Sequence, residues 1–301
     1  MATLNGTSGD DRIIGTESAD IIFGLSGDDT IEGRFGSDKI EGNQGDDHIR
    51  AQEGNDNVSG GIGDDFIGGG DGNDILDGGD GNDTIWGGSE NDTITGGDGN
   101  DLIGGGSGAD LVNGGDGNDT IWGGTGSDNE EVLVDGVQFS GLSGGEGNDV
   151  IGGGTGSDLI NGDDGNDTLY GATGNDTING GEDDDLIFGG AGDDSLFGDD
   201  GDDTIWGGAG NDNMNGGDGG DDLFGFASGH GNDTINGFNA GDDGDVLDLS
   251  AFGLNGELAD LIQDGTIRDG ATGVVIATDD DSSITLDGIF TDNLTEENVL
   301  L

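Results

Sequence analysis

The chain has 301 residues, of which 68 are Asp or Glu and five are Lys or Arg, giving a formal charge of −63. That charge disfavours nucleic acid and anionic membranes as direct partners, and the lack of any cysteine excludes disulfides and thiol chemistry. With 74 glycines and only 29% hydrophobic residues, composition alone describes a chain that repels itself and stays disordered.

The order of the residues argues otherwise. The amino-terminal segment MATLNGTSGDD has neither the basic nor the apolar stretch of a cleaved leader, and no segment of the chain is long and apolar enough to span a membrane. From Asp11 to Asp128 an aspartate then recurs at every ninth position, fourteen times in all. Two residues after each of them, the last excepted, stands Ile, Leu or Val. Glycines precede the aspartate, as in GGDGNDTIW from Gly78 to Trp86. Each unit reads as a glycine-rich turn, an acidic group and a short strand with one inward aliphatic side chain. Two units make a coil of eighteen residues, and a disordered acidic tract would not hold an aliphatic at one phase of nine. Four of the five cations, Arg12, Arg34, Lys39 and Arg50, fall in the first fifty residues.

A longer period overlies the short one: the segment from Ile67 recurs from Ile103, thirty-six residues later. It places Trp86, Trp122, Tyr170 and Trp206 at equivalent positions on one side. These rings either cover neighbouring strand ends or form an aromatic ladder that contacts sugars or a partner surface. The register breaks at residues 129–143, where apolar residues alternate around Asp135-Gly136 and predict a β-hairpin leaving the coil. A second run of nine aspartates extends from Asp149 to Asp221. After Leu223 the residues Phe224, Phe226, Phe238, Leu249 and Phe252 supply the bulk needed to close an open solenoid end. Strands are expected there around Thr266–Arg268, Gly273–Thr278 and Ser283–Leu286. The domains expected are therefore a first block (1–128), the insert (129–143), a second block (144–223) and a carboxy-terminal segment (224–301).

The motif GGxGxDxUx, repeated this often, resembles the repeats-in-toxin (RTX) calcium-binding nonapeptide of secreted bacterial proteins. The resemblance implies an all-β fold, a right-handed parallel β-roll solenoid ending in a β cap like the carboxy-terminal part of RTX proteases. It implies calcium as the ligand. Calcium takes six to eight oxygens, and glycine turns can aim several carbonyls to one side. In the family an ion lies between turns eighteen residues apart. Carried onto this chain, one site uses Gly61, Gly63 and Asp65 with Gly78, Asp80 and Asp83. Another uses Gly70, Gly72 and Asp74 with Gly87, Ser89 and Asp92. The remaining ligand aspartates implied are Asp29, Asp38, Asp47, Asp56, Asp101, Asp110, Asp119 and Asp128, then Asp149, Asp158, Asp167, Asp176, Asp185, Asp194, Asp203, Asp212 and Asp221. Pairing turns in two rows gives about 19 to 21 ions. Glu90 and Asp183 replace the fourth-position glycine, and turns before Asp56 depart further, so the first coils are expected to bind weakly or to act as a cap.

No catalytic site is expected. His48 and His230 lie in GDDHI and GHGND rather than in an HExxH helix, and the carboxylates are accounted for by their period. The functional expectation is a secreted, extracellular, non-catalytic calcium-binding protein exported by type I secretion machinery, with LTEENVLL at the carboxy end resembling an uncleaved export signal. The alternatives are a calcium-ordered solenoid that binds ice or another extracellular surface or polysaccharide, and the carrier portion of a larger secreted enzyme or toxin.

Overall fold

The computed structural model describes residues 1–301 except 129–130, 135–136, 218, 241–243, 255–256 and 280–281; for 131–134, 137–140 and 279 only the backbone is described. The chain is an all-β parallel solenoid in two units, residues 1–161 and 162–301.

In the first unit, consecutive strands alternate between two parallel sheets. One sheet stacks Thr3–Asn5, Ile21–Ser26, Lys39–Gln44, Asn57–Ile62, Ile75–Asp80, Thr93–Asp98, Leu111–Asp116 and Leu142–Glu146. The other stacks Arg12–Ile14, Thr30–Phe35, His48–Glu53, Phe66–Asp71, Thr84–Ser89, Leu102–Ser107, Thr120–Thr125 and Val150–Thr155. Partners are eighteen residues apart, as in Ile85 beside Ile67 and Ile103. The nine-residue aliphatic lands in the same place on every strand, and Ile22, Ile31, Ile40, Ile49, Ile67, Ile85, Ile103 and Ile121 are fully buried.

Most strands are six residues long, longer than a short strand around one aliphatic, because the parallel ladder continues through the paired glycines, for example Gly88 beside Gly70 and Ser89 beside Asp71. A six-residue strand turns two side chains inward, at its second and fourth positions. The second is the aliphatic. The fourth is nearly always glycine, and the reason lies in the site described below.

The insert forms the expected antiparallel hairpin, Glu131–Val134 with Val137–Ser140, while its Asp135-Gly136 turn lies outside the described residues. Beyond it the first sheet resumes with Leu142 beside Val112, thirty residues apart instead of eighteen. Leu142 is fully buried in the aliphatic row.

In the second unit one sheet runs through Thr177–Glu182, Ser195–Asp200, Asn213–Gly217 and Asn232–Asn236, then adds Ser282–Asp287 in parallel. Gly273–Asp279 and Ile267–Asp269 extend it in antiparallel fashion, close to the expected positions. The other sheet stacks Thr168–Thr173, Leu186–Ala191, Thr204–Ala209, Leu223–Gly225 and Val246–Asp248, and ends on Val299–Leu300. The helix Leu258–Asp264 buries Leu258 and Leu261. Of the five bulky residues expected in the cap, Phe224, Phe226, Phe238 and Leu249 are buried and Phe252 is half-buried. Among the described residues no helix is long and apolar enough to cross a membrane.

Removing residues 129–140 would join Asp128 to Gly141-Leu142 and restore the aspartate-x-aliphatic spacing. The shortened chain is expected to melt within a few degrees of the full one in calcium, by circular dichroism. A collapse of the transition would show that the hairpin supports the coil.

Candidate metal centre

Each nine-residue unit contributes a buried carboxyl with two different oxygens. Oδ1 accepts a backbone N–H from the aspartate eighteen residues earlier: Asp47 N–H donates to Asp65 Oδ1 and Asp65 N–H to Asp83 Oδ1, both at 2.7 Å. The pattern continues to Asp101, Asp119 and, across the insert, Asp149. A second row runs through Asp38, Asp56, Asp74, Asp92, Asp110, Asp128 and Asp158. In the second unit Asp167 donates to Asp185 and then Asp185 to Asp203, while Asp176 donates to Asp194 and Asp194 to Asp212. These carboxyls are at most 3% exposed.

The other oxygen is the informative one. From Asp29 through Asp128, and again at Asp185, Asp194, Asp203 and Asp212, Oδ2 is buried without a hydrogen-bond partner. A buried carboxylate oxygen in that state costs free energy unless a cation meets it. The surroundings suit one. A Cβ built on Gly60 would collide with Asp65 Oδ2 and lie 2.8 Å from the Gly78 carbonyl oxygen. A Cβ on Gly69 would likewise collide with Asp74 Oδ2 and lie 2.7 Å from the Gly87 carbonyl. The fourth strand position is glycine because the carboxylate oxygen occupies the space where a side chain would start.

Of the ligand sets implied by sequence, the structure brings together Asp65 with Gly78 and Asp74 with Gly87 at these cradles. Asp80 and Ser89 turn their carbonyls to the N–H groups of Gly63 (2.8 Å) and Gly72 (3.2 Å), which fixes one turn against the next. Gly61, Gly63, Gly70 and Gly72 all have left-handed φ, between 120° and 136°. Glu90 and Asp183 adopt the same region at φ 75° and 76°, so those two turns keep the path at some strain. Among the described residues no three His, Cys, Asp or Glu side chains gather as a metal cluster. A cation held here must therefore draw on carbonyls as well as carboxylates, which suits calcium and not a thiolate- or imidazole-binding metal.

One sequence expectation is corrected. Asp221 is exposed, and its place in the row is taken by Asp222, 2% exposed, whose Oδ1 accepts the Asp203 N–H at 3.0 Å. The turn holding Gly219 and Gly220 is one residue longer than the others. Asp221 therefore shifts to the preceding position, where its N–H meets Asp202 Oδ1, and Phe224 replaces Leu223 as the fully buried residue.

The rows also close differently at their ends, which the nine-residue period does not announce. Asp11 Oδ2 accepts from Thr7, and Asp20 Oδ2 accepts from the backbone and hydroxyl of Thr16. At the other end Asp233 Oδ2 is met by His230 Nδ1, whose Nε2 contacts Thr278 Oγ1 at 2.7 Å. Asp245 Oδ2 accepts the Asn239 N–H at 2.7 Å. The protein supplies its own donors where the rows stop. The period also leaves out a fifth-position ladder: Asn100 N–H donates to Asn82 Oδ1 and Asn118 N–H to Asn100 Oδ1, and its signal is the Asn or Asp that precedes most of the aspartates.

Electrostatics set Asp20 apart from the interior of the rows. Hydrogen bonds from Thr16 hold Asp20 below the usual carboxylate range. Burial, reinforced by the neighbouring aspartates, pushes Asp65 and Asp74 up to about 7 and Asp92 and Asp185 to about 8.

The RTX calcium-binding nonapeptide repeat (4 copies) matches residues 5–40, 32–67, 68–103, 96–129, 143–178, 161–196, 170–204 and 188–223, more than half of the chain. No curated protein matches it by sequence. Among solved structures, a hyperactive, Ca2+-dependent, beta-helical antifreeze protein from an Antarctic bacterium is similar over 92% of this chain and 96% of its own, with 22% identity and a TM-score of 0.46. The extracellular lipase LipA from Serratia marcescens is similar over 78% of this chain and 42% of its own, with 19% identity and a TM-score of 0.26.

The raised carboxyls set a pH dependence. Their folded values lie above the ordinary 3.8, so without metal their contribution favours the fold fully below that value and is lost as pH rises through about 6 to 8. Calcium-free protein is expected to be most ordered in mild acid and to lose order across that window. Calcium added at pH 6.5 should release protons, and far fewer above pH 9. Calorimetry in buffers of different ionisation enthalpy measures the release; equal release at both pH values would contradict the assignment.

Proposed function

The chain belongs to the RTX calcium-binding nonapeptide repeat family and binds multiple calcium ions, and from that premise we propose that it is a secreted, non-catalytic protein whose solenoid folds when it meets calcium outside the cell. The observation that carries the reading is the row of buried, unpartnered Oδ2 atoms. A chain of charge −63 that must bury such oxygens does not fold readily without cations, and metal binding to a site that exists only in the folded state is itself folding free energy. The residues that would hold the ions are the sixth-position aspartates from Asp29 to Asp212, with Asp222 in place of Asp221, and the glycine-turn carbonyls beside them. About 19 to 21 ions would offset much of the charge.

Calcium-poor cytoplasm would keep such a chain unfolded and suited to export through type I machinery. Extracellular calcium would then fold it. Lack of a catalytic site is part of the proposal: His48 stacks on Phe66 at 4.6 Å, and His230 is buried in the end closure. Circular dichroism at pH 7.5 should show a large gain of β signal between chelator and millimolar calcium, with ion stoichiometry near the number of turns. Equal β content in both conditions would overturn the proposal.

A second reading, binding to ice or another flat surface, gains support from one rank. Ser89, Ser107, Thr125 and Thr155 stand at matched positions on consecutive strands of the second sheet of the first unit. The equivalent rank on the first sheet is acidic, Asp80, Asp98, Asp116 and Glu146. A hydroxyl rank of this kind should give thermal hysteresis in calcium-loaded protein that disappears in S107E/T125E; a wild type without hysteresis removes ice from the reading.

A further inference from the structure

The outward face of the second sheet in the first unit differs from the rest of this acidic chain. From His48 to Val150 its outward first and third strand positions are His48 and Arg50, Phe66 and Gly68, Thr84 and Trp86, Leu102 and Gly104, Thr120 and Trp122, then Val150 and Gly152. None is a carboxylate. On these strands acid occurs only at the last position. The nearest carboxylates on these strands are Glu53 and Asp71 at their ends, and Asp71 accepts from Ser89 Oγ at 2.9 Å.

Within this face a depression of about 280 Å³ opens over Gly68, with Arg50, Phe66 and Trp86 among its walls. Gly68 adds no side chain, and a Cβ there would meet nothing within 4 Å. Trp86 leans away across Gly104, where a Cβ would collide with its ring, and stacks against Trp122 with centroids 6.3 Å apart and planes 10° from parallel. Both indoles remain about two-fifths exposed. Arg50 and Trp86 stand on strands two apart, roughly 9.5 Å. A flat ring in contact on both faces needs about 7–8 Å, so this backbone spacing, widened by the lean of Trp86, has room for one ring above Gly68.

The charge in the slot is equally specific. Arg12, Arg34 and Lys39 are each taken up by a glutamate, at 2.7, 4.0 and 2.7 Å. Glu32, the strand neighbour of Arg50, is the glutamate that Arg12 holds. Arg50 forms no ion pair among the described residues despite the 68 acidic residues of the chain. An exposed guanidinium next to an aromatic wall can receive an oxyanion in bidentate fashion while the ring stacks on the indole.

We propose that the slot between Arg50 and Trp86, floored by Gly68, binds one pyranose ring bearing a carboxylate or sulfate, as part of an acidic glycan. The apolar face of the sugar lies on Trp86, its anionic group meets Arg50, and Trp122 continues the platform toward the next sugar. Only one ring enters the slot because Gly68 is the single gap between Arg50 and Trp86. The assignment needs the calcium-loaded fold but not the export reading: failure of the chain to fold in calcium would undo both, whereas a folded protein that binds no glycan would undo this one alone.

The test uses calcium-saturated full-length protein and follows tryptophan fluorescence and calorimetry with trigalacturonate, a sulfated galactan trisaccharide and neutral galactotriose, all at fixed free calcium. Wild type should bind one or both anionic sugars and bind the neutral one at least about tenfold more weakly. Preference between carboxylate and sulfate identifies the anionic group. Gly68→Val fills the gap without backbone strain and should lower affinity about tenfold or more, Arg50→Gln should remove the preference for the anion, and Trp206→Phe in the second unit should change neither. Circular dichroism of each variant in calcium establishes that it is folded. The proposal is overturned if folded wild type binds neither anionic sugar, if G68V binds as wild type does, or if the neutral sugar binds equally well. It is also overturned if sedimentation shows that the face pairs two copies of the chain and G68V abolishes that pairing.

Discussion

A carboxylate oxygen buried without a proton donor is the constraint on which the other features depend. Each sixth-position aspartate uses Oδ1 to tie one coil to the coil before it and turns Oδ2 into a space walled by glycine backbone. In water that oxygen would be solvated. In the coil it is desolvated, and the next carboxylate of its row lies one coil away. The pKa values rise because ionisation under those conditions is costly, a cost that a divalent cation would remove. Glycine at the fourth strand position, left-handed turns and an eighteen-residue coil are the geometric terms on which the oxygen can be buried repeatedly.

The ends of the rows show the same constraint met in another way. Thr7 and Thr16 serve Asp11 and Asp20, while His230 and the Asn239 N–H serve Asp233 and Asp245. At these positions the second oxygen has a donor from the chain itself. His230 takes the third turn position, where other turns carry exposed side chains such as Asp80 or Thr125, and it is buried against Phe226 and Phe252. Interior oxygens lack a donor and those at the ends have one, so hydrogen bonding rather than the count of motifs would bound a calcium array.

The period made the coil legible because one aliphatic and one aspartate per nine residues leave little freedom once glycines mark the turns. The alternation of sheets, the buried row from Ile22 to Ile121 and the hairpin at the insert all follow from it. Legibility failed where one residue changes the phase. Gly219 and Gly220 lengthen a turn so that Asp222 and Phe224 enter the coil, yet it is Asp221 and Leu223 that keep the nine-residue spacing. Hydrogen bonding and burial distinguish them. The closures by Thr7, Thr16 and His230 were hidden for a related reason: each depends on which way a turn side chain points, and periodicity is silent about that.

Placing the acid in the turns leaves the sheets free to carry a different chemistry. Along a parallel sheet every outward position is repeated one strand spacing away, so a residue type becomes a stripe without further design. In the first unit one sheet shows Ser59, Asp77, Thr95 and Asn113 at its third outward position, whereas the other shows Arg50, Gly68, Trp86, Gly104 and Trp122. In the second unit Tyr170 stacks on Phe188 at 5.0 Å, and Trp206 covers Gly225. In the first unit, alternating a large ring with glycine lets Trp86 lie over the neighbouring strand instead of standing off it, and Trp86 and Trp122 stay about two-fifths exposed. A uniformly acidic surface would repel anionic partners everywhere. A roll whose charge is held mostly in its turns, where cations would offset it, can present an aromatic face free of carboxylates to the same partners.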